Sequence, residues 1–205
     1  MNNIINKNNT LIILDWDDTL FPTNWFLQNN INLKDDIEKK ENISYFMELD
    51  NVLSKLLKHL KNYGNVTIIT NAMTEWINTS SSTLPKTKKI LETLNIVSAR
   101  GNYQMTHPNI NDWKKQAFKA NKRHYINIIS VGDAHYEYNA LIGLYDKKND
   151  ILLKSIKFIN EPLHEILIDQ LEVLNNIVPD ICKMNKHMDL KFKLKHEVKL
   201  IKKNK

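Results

Sequence analysis

Cysteine is almost absent from this chain: Cys182 is the single one among 205 residues. A lone thiol excludes any disulfide within the chain, and mixed cysteine–histidine metal sites fail by count. The seven histidines are scattered, without the spacing of metal ligands. No apolar run approaches the ~20 residues of a membrane helix. The first ten residues, MNNIINKNNT, are polar and lack the apolar centre of a signal peptide. No stretch repeats at a fixed period. These absences lead to the expectation of a soluble, cytoplasmic protein with no membrane association.

What is present is globular in kind: 42% hydrophobic and 25% charged residues, enough for one substantial core. The formal charge of +6 is unevenly spread. From Lys183 to Lys205 there are nine lysines against one Asp and one Glu, so the remainder is close to neutral. Basicity belongs to the tail, and the overall charge is no argument for a nucleic-acid-binding body.

Buried strands are expected at Leu11–Leu14, Val66–Thr70, Ile96–Val97, Ile126–Asp133 and Ile151–Ile159, from short apolar and β-branched runs. Between them the apolar spacing turns helical. Val52, Leu53, Leu56, Leu57 and Leu60 predict a helix capped by Asp50 or Asn51 and ended by Gly64. Further helices are expected around Ile90–Leu94, over 112–121, over 135–142 and after Pro162. The segment 24–42 reads as loop with a helical turn. Beyond Pro179, Leu190, Phe192 and Leu194 alternate with lysines, which suits an edge strand, an amphipathic ribbon or a disordered arm. Alternation of strands and helices predicts a three-layer α/β sandwich, Rossmann-like, with a mostly parallel sheet of about five strands.

In such a sheet, ligands gather at the carboxyl ends of the strands. The residues there are Asp15 and Asp17, Thr70 and Asn71, and Asp133. Clustered acids at the end of a buried strand need a cation or a hydrogen-bonding loop. Asp18 reads as a turn acid, and Trp16, alternating away from Asp15, as core. Trp25 and Trp76 are candidates for either core or a substrate mouth, and His135 for a helix start.

DWDDT (Asp15–Thr19), Thr70 after VTII, Lys114 at a helix start and GDAHYE (Gly132–Glu137) occur in that order. Together they resemble the four motifs of the haloacid dehalogenase superfamily of phosphohydrolases, over Asp15 to Glu137. The resemblance implies residues 11–180 as the catalytic domain, with no large cap domain; composition marks 1–10 as a polar arm and 181–205 as a Lys-rich tail. It implies Asp15 as nucleophile and Asp17 as general acid and base. Thr70, Asn71 and Lys114 would bind the phosphoryl group, with Lys115 the rival of Lys114. Mg²⁺ would be held by Asp15, Asp133 and the backbone carbonyl of Asp17. Glu137 stands where the family has Asp, which suggests a group supporting metal waters or orienting Lys114.

The expected activity is thus Mg²⁺-dependent hydrolysis of a phosphomonoester, on a small molecule or, given an open site, a macromolecule. Two alternatives are a catalytically idle binding module of the same fold, and a nucleic-acid end phosphatase using the Lys-rich tail. A solvated tail is the simpler reading of that charge run. Oligomeric state is not legible.

Overall fold

The computed structural model describes residues 4–146 and 151–194. In chain order its elements are β1 (Thr10–Leu14), α1 (Thr23–Gln28), α2 (Asp36–Glu41), α3 (Ile43–Leu60), β2 (Asn65–Thr70), α4 (Thr74–Ser81), α5 (Pro85–Leu91), β3 (Asn95–Ser98), α6 (Ala99–Tyr103), α7 (Ile110–Lys122), β4 (Asn127–Gly132), α8 (His135–Ile142), β5 (Leu152–Lys157), α9 (His164–Lys183) and β6 (Met188–Lys191). A 3₁₀ turn, Lys7–Asn9, precedes β1. No helix among the described residues is long and apolar enough to cross a membrane.

The strands form one sheet in the order β3-β2-β1-β4-β5-β6, every pair parallel. The fold is a Rossmann-like α/β sandwich with six strands where about five were expected. The sixth is β6, which pairs with β5 from Lys154↔Met188 to Lys157↔Lys191. Of the three readings of the tail, the edge strand describes 188–191; residues 195–205 lie outside the described residues.

Strand alternation splits the core into two layers. Ile12, Leu14 and Ile68 face one side, against Leu53, Leu56 and Leu57 of α3 and Leu167, Leu171 and Leu174 of α9. Leu11, Ile13 and Ile69 face the other, against Ala117 and Phe118 of α7 and Ala140 and Leu141 of α8. Both faces of β1 and β4 are therefore covered, as all-parallel sheets require.

Three expected boundaries move. α3 starts at Ile43, seven residues before Asp50, because Phe46 and Leu49 carry the buried stripe back by two turns. Asp50 is consequently mid-helix and 3% exposed. Its carboxylate accepts from Lys86 N (2.9 Å) and Thr87 N (2.7 Å), so it caps α5 across space. The segment 24–42 holds two short helices, the second capped by Asp35. α9 runs through Pro179 to Lys183, since Ile181 and Cys182 bury against the core. The boundary drawn at 180 falls inside that helix.

Sheet order reverses between β1 and β4: from β1 the chain proceeds to β2 and β3, then crosses back to β4. Helices on opposite faces diverge there, leaving a crevice at the carboxyl ends of these two strands.

Candidate functional site

The reversal point brings two distant acids together. β1 and β4 are in register with Leu14 opposite Val131, and Asp15 N donates to Val131 O at 3.0 Å. Asp15 thus leaves β1 beside Asp133, which leaves β4 one residue after Gly132. Glu137, in the first turn of α8, turns back to join them. One carboxylate oxygen from each of Asp15, Asp133 and Glu137 lies within 4.8 Å of the others, and all three residues are buried.

Gly132 makes that approach possible. A Cβ at this position would overlap Cγ and Cδ of Glu137. Glu137 itself is fixed at both oxygens: Oε2 accepts from Ala134 N at 3.1 Å, capping α8, and Oε1 accepts from Lys114 Nζ. Lys114 is 2% exposed on α7, and its Nζ also lies 2.8 Å from Asp15 Oδ1. Lys114, rather than Lys115, reaches the cluster; Lys115 pairs with Asp112 at the surface, 3.1 Å away.

Three carboxylates against one ammonium leave the cluster short of positive charge. Burial pushes the Asp133 carboxyl up to about 7, with Glu137 and Asp18 adding repulsion and Lys114 opposing them. Burial likewise holds Asp15 well above the carboxylate range, against the pull of Lys114. Burial also disfavours the charged form of Lys114, but the fields of Asp15 and Glu137 prevail and raise its pKa. Thr19 donates its hydroxyl to Asp133 Oδ1 at 3.3 Å. That role was not read from the sequence, although Thr19 closes the DWDDT motif.

Asp17 faces elsewhere. Its Oδ1 accepts from Thr23 Oγ1 (2.5 Å) and from Trp76 Nε1 (2.6 Å), and its Oδ2 from Thr70 Oγ1 (3.4 Å). Thr70 is fully buried at the end of β2, and its hydroxyl accepts from Ala72 N at 2.9 Å. So Thr70 and Asp17 meet, as the motif order suggested. Asn71 follows in the same loop, with its side-chain oxygen buried and without a hydrogen-bond partner.

Trp76 was read as core or substrate mouth, and its hold on Asp17 was unforeseen. Besides holding Asp17, it lines an apolar groove of about 600 Å³ with Phe26, Leu27, Ile31 and Met73. A lone tryptophan on a helix carries no sequence signal for that hydrogen bond. Trp25 instead packs on Phe26, Tyr45 and His164.

The loop carrying these groups is fastened by aromatic stacking. Trp16, fully buried as expected, stacks on Phe21, Phe21 on Phe26, and Phe26 on Phe46, with ring centroids 5.0–6.0 Å apart. Trp16 Nε1 donates to Ser80 Oγ at 3.0 Å. Asp18 adopts φ 52°, a left-handed conformation that Asp tolerates. Its carboxylate accepts from Asn24 N and Nδ2, and burial raises its pKa to about 6. It is a turn acid, as read. His135 begins α8, also as read.

No family model matches the chain, and no curated protein matches it in sequence. The residues therefore have to carry the functional argument.

Proposed function

We propose that the protein is a divalent-cation-dependent phosphomonoester hydrolase acting through an aspartyl-phosphate at Asp15. The observation that carries this reading is the meeting of Asp15, Asp133 and Glu137 within 4.8 Å, with Lys114 buried against two of them. The donor set fits a hard cation: every candidate ligand is a carboxylate oxygen, and the cluster has negative charge to spare. Asp15 and Asp133 would hold Mg²⁺, together with the backbone carbonyl of Asp17. Glu137 is close enough to be a third carboxylate but already binds Lys114 and caps α8. Bound Mg²⁺ would neutralise phosphate charge that otherwise repels Asp15.

The chain's own groups supply the rest. Asp15 attacks phosphorus in line, and the phosphoester bond breaks as the Asp15–phosphorus bond forms. Lys114, kept charged by its two acids, offsets the charge on the transferring group. Asp17 protonates the leaving oxygen and later takes a proton from the attacking water, which restores Asp15 and frees phosphate. Thr23, Trp76 and Thr70 already donate to its two oxygens, so one of these contacts must give way for Asp17 to carry that proton. The Thr70 hydroxyl, beside Asp17, and the Asn71 amide would donate to a phosphoryl oxygen. The groove beside Trp76 offers the leaving group an apolar wall.

Among the described residues, the segments between β1 and α3 and between β3 and α7 hold only short helices, α1 and α2 in the first and α6 in the second. An open rim suits a bulky phosphoester, small or macromolecular. The test is turnover of an aryl phosphate with Mg²⁺, run beside Asp15→Asn, with acid-quenched chain examined for phosphate on Asp15. Turnover that survives the substitution sinks the mechanism. No turnover of any phosphoester in the native chain would leave a binding module on this fold.

A further inference from the structure

At the opposite, amino end of the sheet lies a second polar feature of the other sign. Lys7 precedes β1, Lys58 and Lys61 close α3 ahead of β2, and Lys86 and Lys89 belong to α5 ahead of β3. These five lysines, with Asn62, Ile90 and Thr93, line one concave pocket of about 520 Å³. No carboxylate among the described residues lines it. Among the described residues none of the five forms an ion pair.

Two of the ammonium groups are positioned by neutral partners. Lys61 Nζ donates to Thr93 Oγ1 at 2.8 Å, and Lys86 Nζ to Asn51 Oδ1 at 2.6 Å. Such contacts fix a charge without cancelling it. The carboxylate that could have cancelled it, Asp50, is committed to the backbone of α5. Helix C-termini account for part of the cluster, since Lys58 and Lys89 sit in the last turns of α3 and α5. Lys7 belongs only to a three-residue 3₁₀ turn, Lys86 sits in the first turn of α5 where the helix end disfavours a cation, and the body of the chain has no surplus of positive charge to scatter.

From this we infer that the amino-edge pocket binds a compact, multiply phosphorylated anion, at a site separate from the acidic crevice. Lysine is a point-charge donor suited to phosphate oxygens from several directions. The lining contains no aromatic ring, so there is no platform on which the bases of a single strand would stack. The pocket's size matches a few linked phosphates or a phosphorylated headgroup better than an extended chain.

The experiment is titration calorimetry of the full chain with inorganic tripolyphosphate in EDTA, which keeps divalent ions from the acidic crevice. The triple variant Lys7→Gln, Lys58→Gln, Lys89→Gln removes three exposed charges that hold no other side chain. Binding should weaken by about ten- to a hundredfold in the variant. It should also weaken with added salt. Aryl phosphate turnover, if the native chain shows it, should be unchanged. A second variant replacing Lys195, Lys199, Lys202 and Lys203 by Gln should keep tripolyphosphate binding. Vesicles bearing a bisphosphorylated inositol lipid form a parallel arm: binding to them through the same three lysines assigns a membrane source, and binding to tripolyphosphate alone a soluble one. No binding of either, equal binding by the triple variant, loss of binding in the tail variant, or a preference for oligothymidylate over tripolyphosphate would each overturn the inference.

Discussion

Asp133→Asn should reverse its effect on stability depending on whether Mg²⁺ is present. Folded, Asp133 keeps its proton to about pH 7; its ordinary value, reached on unfolding, is 3.8. The folded state therefore binds more protons across that window. The stability this group contributes is complete below about pH 4 and is lost as pH rises through about 7. At about 1.4 kcal/mol per pH unit the loss approaches about 4 kcal/mol, and sharing the field with Glu137 reduces it to about 2–4 kcal/mol. The Asn variant has no such proton to lose. In EDTA at pH 4 the two chains should melt alike. At pH 8 the variant should melt higher by roughly 5–15 °C for a chain of this size. Mg²⁺ binds the ionised carboxylate, so at a concentration of about 100 Kd it should return about 2.7 kcal/mol to the native chain at pH 8. It should return little at pH 5 and nothing to the variant. Scanning calorimetry at pH 4, 5 and 8, with and without Mg²⁺, reads all of this. A native chain that is insensitive to Mg²⁺ at pH 8, or as stable as the variant there in EDTA, would refute the view of the cluster as an underpaid-for set of charges awaiting a cation.

Lys114→Met should cost about 3–5 kcal/mol in urea unfolding at pH 7, because it strands Asp15 and Glu137 as buried charges; a cost below about 1 kcal/mol would show that the ion pairs do not set the site's stability. Gly132→Ala should displace Glu137 and destabilise by about 1–3 kcal/mol, with weaker Mg²⁺ protection in the same melting assay; an unchanged melt would mean the helix shifts freely to make room. Lys154, fully buried with its Nζ donating to Ile181 O at 2.7 Å, has its pKa lowered by burial to about 8. Its unfolded form holds the proton to about 10.5, so its penalty is full below about pH 8 and lifts as pH rises through that window. Cys182, raised by burial to about 11, runs the opposite way. In a Cys182→Ala background, stability should therefore rise by about 1–2 kcal/mol, after screening, between pH 8 and 10, and Lys154→Met should abolish the rise.

What the sequence disclosed follows physical lines. Strands β1, β2 and β4 are buried on both faces, and such strands write themselves as apolar runs with an abrupt polar end. Those ends were the candidate residues, so Asp15, Thr70 and Asp133 were visible before the topology was. β6 was legible only as one of three readings, because the alternation of Leu190 and Phe192 with lysines suits an edge strand and an unstructured arm equally. The early start of α3 was missed because Asp50 resembles a cap. It is one, but for α5, and spacing along the chain says nothing of a cap delivered across space.

Trp76 and Gly132 show where local reading ends in the site itself. Both act on a neighbour's side chain: one anchors Asp17, and the other clears room for Glu137. Neither role leaves a mark in its own surroundings, because each is defined by a contact between elements. The acids could be found by asking what a carboxylate is doing at a strand end. Their supports could be found only by asking what keeps that carboxylate there, which requires the strand order. The reversal between β1 and β4 is the link between the two questions. It turns 118 residues of separation between Asp15 and Asp133 into adjacency across one ladder, and it sets Lys114 on the helix that enters β4. A cation site assembled this way depends on the sheet's register, so a substitution that slips β4 against β1 should remove it without touching a ligand.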